Sequence, residues 1–518
     1  MSTTLQEHGT TSSTRPTTPP AEPARLRWLP YVVAAVLLPL VYLFLVHQVG
    51  SYPILVWDEG RVAVNAAEME YNGKWLVTYF GGVPDMWNTK PPLIIWLEVL
   101  SLRLFGYSET AFRLPTMLAA IATAGLAYTF VYRRLRTVLG AASAVLILIT
   151  AIGYNEQHRS RTGDYDAVLT LFVTVAALAF FRYLETQKRS DFTWVTVALI
   201  GAALTKGVAG LFWVPAFLLY AISQRKVVWL LRRPEVYAGA GALVLVVGGY
   251  YLAREFYNPG YLQAVSDNEL GGRLLGVLNE HQHPWYWFLE AMYDEKFMPW
   301  LLLFPLSLVL LWRYPAEGVQ SRFAVLTGIV VVVHMLIIST ASTKLAWYDM
   351  PIYPLAAMLV GTSLGRVAQP GISTHFRRSG LLAAALLSVL FVVAVMAGPL
   401  LYTFRKNLAT YNWRHGDPAL SFGFQTKAMA KQLPTLTTYT LFSGETYNPS
   451  MFYYALAAQR RYNHTVTTKL GNQIGELKAG DVVALCGDRD KAAIAERFTT
   501  MVLVEDNACI TVLLQQKK

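Results

Sequence analysis

Residues 145–181 read VLILITAIGYNEQHRSRTGDYDAVLTLFVTVAALAFF. Two apolar runs flank a short polar link that carries Glu156, His158, Arg159, Arg161, Asp164 and Asp166. Runs placed back to back in this way suit a bilayer, which asks for about 20 apolar residues per crossing helix. Working outward, such blocks lie at 29–50, 112–130, 138–155, 167–183, 192–204, 208–223, 236–252, 299–312, 323–341, 350–364 and 380–400. The whole chain agrees: of 518 residues, 54% are hydrophobic and 15% charged, against roughly 25% charged in an average soluble domain. Backbone polar groups inside a bilayer must be satisfied within the segment, so the blocks are helices. The expected fold class is an all-α polytopic membrane protein with eleven to thirteen transmembrane helices.

Residues 1–27 are rich in Ser, Thr and Pro and read as a disordered cytoplasmic tail without a signal-peptide cleavage site. With that end inside, parity places the loops bearing Arg133, Arg134 and Arg136, then Lys188 and Arg189, then Arg225, Lys226, Arg232 and Arg233 in the cytoplasm. Those bearing Arg313 and Arg322, and Arg366, Arg377 and Arg378, fall there too. All are basic, as the positive-inside rule requires. The net charge of +11 therefore reflects topology and lipid headgroups, and no nucleic-acid partner is expected. A membrane domain over 28–400 has extracytoplasmic loops at 51–111, 156–166 and 253–298, and 401–518 forms an extracytoplasmic domain. That tail reads as a small α/β unit, with helical stretches at 451–462 and 490–497 and β-branched runs near Val482, Met501–Val504 and Ile510–Leu514. It holds both cysteines, Cys486 and Cys509. They either form a disulfide, closing a loop worth about 3 kcal/mol in the loop-entropy model, or remain two buried thiols.

The chemistry-bearing residues concentrate in the outer regions. Asp58 and Glu59 follow the first span at the interface, where ionised groups are costly unless paired or used; they either cap a short amphipathic helix or act. Lys90 precedes Pro91 and Pro92, which stiffen the backbone, so it is a phosphate ligand or an interface anchor. Arg161 and Asp166 pair with each other, or Arg161 faces an anion. Lys206 lies in TKG, Lys344 and Tyr348 lie in STKLAWYDMPIYP, and 253–298 adds Arg273, Glu280, His281 and His283. The spacing of Glu280, His281 and His283 is not that of a soluble zinc site. No GxxxxGK[ST] motif is present, so ATP-driven transport is unsupported. A secondary transporter would carry ionisable groups within its spans, where only His334 lies deep. An enzyme of the outer leaflet fits better.

In this order, DE at 58–59, KPPLIIW from Lys90, RTGDYD at 161–166, ALTKG ending on Gly207, HPWYWFL and STKLAWYDMPIYP together resemble the bacterial GT-C glycosyltransferases related to the lipid A aminoarabinose transferase and the protein O-mannosyltransferases. The resemblance covers residues 30–400. It implies an inverting enzyme that takes sugar from a polyprenyl-phosphate donor and passes it to a lipid, glycan or protein acceptor among membrane lipids. It assigns Asp58, with Glu59, as the catalytic carboxylates and Lys90 to the donor phosphate, with Arg161, Lys206, Lys344 and Tyr348 as further phosphate-side candidates. Asp166, Arg273, His281 and Asn88 are additional site candidates. No cofactor is required by the resemblance except a divalent metal in some members; here Glu59 and His281 would hold it, and Asn88 stands where the aminoarabinose transferase has a carboxylate. Other multispan proteins that handle polyprenyl-linked glycans, a flippase, a ligase or an envelope lipid transporter, are the alternatives; a ligase would want paired arginines in a large outer loop, and a non-catalytic scaffold leaves the clustered charges unexplained.

Overall fold

The computed structural model describes residues 28–276, 280–315, 317–368, 381–417, 420–506 and 508–518. The expected disordered tail, 1–27, lies outside the described residues. Every apolar block forms helix. The first eight helices are α1 (Leu29–Leu45), α2 (Asp58–Asn72), α3 (Leu93–Phe105), α4 (Glu109–Arg134), α5 (Val138–Thr150), α6 (Tyr165–Thr186), α7 (Arg189–Lys206) and α8 (Val214–Ser223). Local chemistry sets their ends. Ser108 Oγ accepts from the Ala111 amide at 3.1 Å at the start of α4, and Thr137 does the same for Gly140 at 3.0 Å in α5. Gly207, with φ +57°, stops α7 directly after Lys206.

Among the described residues, five helices are long and apolar enough to cross a membrane by themselves: Glu109–Arg134, Tyr165–Thr186, Arg189–Leu211, Pro234–Tyr257 and Gly318–Thr340. A sixth follows if Trp287–Lys296 and Trp300–Arg313, bent by 108° to each other, count as one span. The expected eleven to thirteen are thus not all full-length helices. Several stop short because their outer ends give way to irregular chain: α5 ends at Thr150 and the segment 151–164 is made of turns and bends.

One core joins α1 and α4 to α8 with the helices Gly318–Thr340 and Tyr353–Ala368. α5 crosses Tyr353–Ala368 through small residues: a Cβ on Gly361 would lie 2.5 Å from the Ala144 nitrogen, and one on Gly365 would collide with Gly140. Such pairs let backbones approach where no hydrophobic drive separates helix from lipid. The two ends of the bundle segregate as the basic loops foretell. Arg136–Glu317, Arg322–Glu185 and Arg189–Glu235 pair at one end, while α2, α3 and the outer loops meet the C-terminal domain at the other.

The helix Leu381–Gly416 runs unbroken through the expected boundary at 400/401, so the separate folded tail begins with Phe422–Gln432. Apart from the two-residue hairpin β1 (Tyr79–Phe80) and β2 (Val83–Pro84), all strands among the described residues lie in this tail. They are β3 (Thr438–Ser443), β4 (Thr465–Leu470), β5 (Val482–Cys486), β6 (Phe498–Asp506) and β7 (Cys509–Lys517), in the order β4-β3-β5-β7-β6. β3 is parallel to β4 and β5, and β7 is antiparallel to β5 and β6. Cys486 and Cys509 stand opposite each other in register and are disulfide-bonded. Helices Phe422–Gln432 and Pro449–Tyr462 join the sheet to the outer loops in one apolar cluster, and a second cluster holds Ile494 of Asp488–Arg497.

Candidate active site

Arg113, buried on α4, fixes the first outer turn. Its guanidinium donates to the carbonyls of Val49, Tyr52 and Pro53 at 2.6–2.9 Å and grips both oxygens of Glu59 at 2.6 and 2.9 Å. The Leu55 and Gly163 amides donate to the same carboxylate. Burial opposes the charge of Glu59, yet Arg113 and these amides hold its pKa below the ordinary value. The structure thus places Glu59 as a buried ion-pair anchor that is not among the chamber-lining residues, where the sequence expectation made it a catalytic carboxylate. Its neighbour Asp58, about 100° further round the helix, is exposed and lines a polar chamber. Among the described residues its carboxylate makes no ion pair.

Lys90 and Lys206 line the same chamber. Lys206 Nζ lies 2.5 Å from Asp166 and 5.1 Å over the ring of Tyr348. Lys90 Nζ lies 3.5 Å from Glu269 and 5.3 Å over the ring of Tyr165. Asn88 forms part of the chamber wall, bonded to Tyr165 and Asn65. The chamber encloses roughly 500 Å³, its open mouth included, and beside it an apolar groove of about 790 Å³ runs between α6, Val208–Phe212 and Ile337–Ala341. Lys90, Asp166, Lys206 and Tyr348 border both.

Three expected site residues are elsewhere. Arg161 donates to the Phe44 and His47 carbonyls at 2.6 and 2.8 Å, so it caps the end of α1 rather than facing an anion; its expected pairing with Asp166 is not formed, because Asp166 holds Lys206. Lys344 turns back onto the Ala341 carbonyl at 2.7 Å and does not line the chamber. His281 is exposed, and the Lys344 amide donates to its backbone carbonyl. With the oxygens of Glu59 engaged by Arg113 and two amides, Glu59 and His281 do not form the metal pair. Among the described residues no group of three or more His, Cys, Asp and Glu side chains could hold a metal ion. The side chain of Arg273 lies outside the described part. His334 is satisfied, accepting from Trp213 Nε1 at 3.2 Å and meeting the Tyr348 carbonyl at 2.9 Å.

The sequence reading singled out neither Arg113, Asp85, Glu269 nor Trp347. An arginine two residues into an apolar block was a usable signal, since a charge there is expensive. His158 and Asp164 were noted in their loop without a role. His158 Nδ1 lies 3.2 Å from Asp164, without hydrogen-bond alignment, and its ring stacks on Trp347 at 4.0 Å. Burial lowers the pKa of His158, but Asp164, with Asp58 and Glu59, outweighs this and raises it.

The structure aligns with ArnT from Cupriavidus metallidurans bound to undecaprenyl phosphate with a TM-score of 0.71 at 20% identity, covering 94% of this chain and 98% of that one. The two chains share one fold. The apo form of the same protein aligns with a TM-score of 0.67. The dolichyl-phosphate-mannose-protein mannosyltransferase family profile matches residues 89–250. The undecaprenyl phosphate-alpha-4-amino-4-deoxy-L-arabinose arabinosyl transferase of Aeromonas salmonicida is 28% identical over 383 residues, 70% of this chain and 67% of that protein. Its counterpart in Pseudomonas fluorescens is 25% identical over 72% of this chain and 64% of its own length. The chain is thus similar to both groups of transferases, and the matched 89–250 contains Lys90, Asp166 and Lys206.

Proposed function

We propose that the chain is an inverting glycosyltransferase of the bacterial plasma membrane that moves a sugar from a polyprenyl-phosphate donor to a lipid, glycan or protein acceptor on the extracytoplasmic side. One observation carries this reading: two lysine ammonium groups stand where a polar chamber meets an apolar groove between helices. A polyprenyl-phosphate sugar is an amphiphile of that layout. The groove takes the prenyl chain, Lys90 and Lys206 face the phosphate, and the sugar lies in the chamber towards Asp58.

The acceptor oxygen then attacks the anomeric carbon opposite the phosphate. The carbon–oxygen bond to phosphate breaks with its electrons leaving on the phosphate, and the acceptor proton passes to Asp58. An ammonium has three donors, so Lys206 held by Asp166 and Lys90 near Glu269 keep donors for phosphate oxygens. Those contacts strengthen as the leaving group gains charge. No nucleotide is needed.

The test uses the full-length protein in lipid with a panel of labelled undecaprenyl-phosphate sugars. One donor is consumed, releasing undecaprenyl phosphate and labelling an acceptor. Lys90→Ala weakens donor binding and transfer by about tenfold to 150-fold, the worth of a charge-assisted contact. A folded protein that consumes none of the donors overturns the proposal.

A further inference from the structure

Five residues before Lys90 stands a buried carboxylate that meets five donors. Asp85 Oδ2 accepts from Arg61 Nε and from Asn65 Nδ2, both at 3.0 Å. Its Oδ1 accepts from the second Arg61 nitrogen at 2.6 Å and from the backbone amides of Trp87 and Asn88 at 2.9 and 3.0 Å. Burial disfavours the charge on Asp85, but Arg61 and the Asn88 amide overcome it and hold the carboxyl below its ordinary range. The two amides belong to the turn that leads into Lys90, so the carboxylate sets the course of the chain from one side. From the other side, Pro91 and Pro92 set it before α3 begins. Arg61 reaches further: its third nitrogen donates to the hydroxyl of Tyr447 in the C-terminal domain at 3.4 Å, and its guanidinium stacks over Phe80 at 4.4 Å. The ring of Tyr447 in turn stacks on Phe80 and packs on Trp57, next to Asp58.

We infer that Asp85 and Arg61 are positioning residues for the donor-side lysine, and that Tyr447 makes the C-terminal domain part of that device. The inference rests on the proposed role of Lys90 at the donor phosphate. A carboxylate is needed because both of its oxygens must accept; an amide would turn its NH₂ group towards Arg61 or towards the two backbone amides.

The experiment is a double-mutant cycle in the full-length enzyme, with undecaprenyl-phosphate sugar as the varied substrate. Asp85→Asn raises the donor KM about tenfold, Arg61→Lys, which loses the two-pronged grip, about fivefold, and Tyr447→Phe about twofold; Asp85→Glu restores part of the loss. A purely structural role would lower the active fraction and leave the donor KM of the surviving enzyme unchanged. In a Lys90→Ala background, Asp85→Asn adds less than twofold to the donor KM, because the group it positions is gone. Full additivity of the two changes, or an unchanged donor KM in both Asp85→Asn and Tyr447→Phe, overturns the inference. If Lys90→Ala leaves the donor KM at its wild-type value, the role assigned to Lys90 fails, and the inference with it. Tyr447→Phe removes one oxygen from a surface-domain residue and keeps the test open where Asp85→Asn does not fold.

Discussion

Four ion pairs near the outer end of the helix bundle and the pair Arg136–Glu317 at its inner end are made of the same kinds of group and are built to different standards. At the outer end, Glu59–Arg113, Asp85–Arg61, Asp166–Lys206 and Asp349–Lys296 are at most 18% exposed on either partner. At the inner end, Arg136 and Glu317 are 58% and 43% exposed and 3.6 Å apart. Water screens the second kind, and exposed pairs are worth little. The first kind is enclosed, and removing one partner strands a buried charge. The exposed inner pair thus adds little to the fold, whereas the enclosed outer pairs brace buried chain in and around the chamber.

Asp58 and its neighbour Glu59 put that contrast within two residues. Asp58→Asn removes the exposed acid of the chamber and is expected to lower turnover about 10²-fold to 10⁴-fold, the usual worth of a general base. Its thermal stability stays within about 0.5 kcal/mol of wild type, as for other surface changes. Turnover assays beside melting curves decide this, and near-normal turnover removes Asp58 from the mechanism. Arg113→Ala acts the opposite way, through the fold: leaving Glu59 buried and unpaired costs about 3–5 kcal/mol. Chemical denaturation in detergent reads the loss, and adding Glu59→Gln recovers part of it. The pair also ties stability to pH. Because folding lowers the pKa of Glu59 from 4.5, its contribution is complete above that value and is lost as pH falls through the lowered one.

Glu98 sharpens the comparison because it breaks the outer-end rule. It is wholly buried on α3 and neither oxygen has a hydrogen-bond partner. Burial, followed by Asp164 and Glu59, raises its pKa well above 4.5. The folded state therefore holds a proton that the unfolded chain releases, so stability falls as pH rises from 4.5 towards the raised value. Glu98→Met, which keeps the length without the polar atoms, should gain about 1–3 kcal/mol near pH 8 and less near pH 5. Melting temperatures at the two pH values test it; a loss at both would mean that Glu98 has a partner in solution. The smallest effect belongs to the inner end, where Glu317→Gln should move stability by no more than about 0.5 kcal/mol. A loss above 2 kcal/mol there would erase the distinction between the two ends.

Patterns that act over one helix or one loop were legible in the sequence. The apolar blocks, the inner basic loops among the described residues, and the helices and three strands at the end of the tail lie where periodicity and charge placed them; the loop bearing Arg377 and Arg378 lies outside the described residues. β3 and β4 were missed: TYTLFS and TVTTKL are short and half polar, and they become strands by pairing with each other and with β5. For the site, Asp58, Lys90, Lys206, Asp166, Asn88 and Tyr348 come together as the motif order implied. Glu59, Arg161 and Lys344 do not, because each is taken up by a partner far along the chain or by a nearby carbonyl that no local pattern reveals. An arginine looks the same in a sequence whether it meets a phosphate or caps a helix, as Arg161 does for α1.

The glycine seam between α5 and Tyr353–Ala368 has a consequence for the chamber. The segment after α5 leads to Asp164 and Tyr165, and the segment before Tyr353 carries Trp347 and Tyr348, all of them chamber-lining. Gly140 and Gly361 thus work like the pivot of a pair of callipers. A single methyl group at Gly361 would meet the Ala144 backbone at 2.5 Å, so it would have to shift the two helices that lead to these chamber-lining segments.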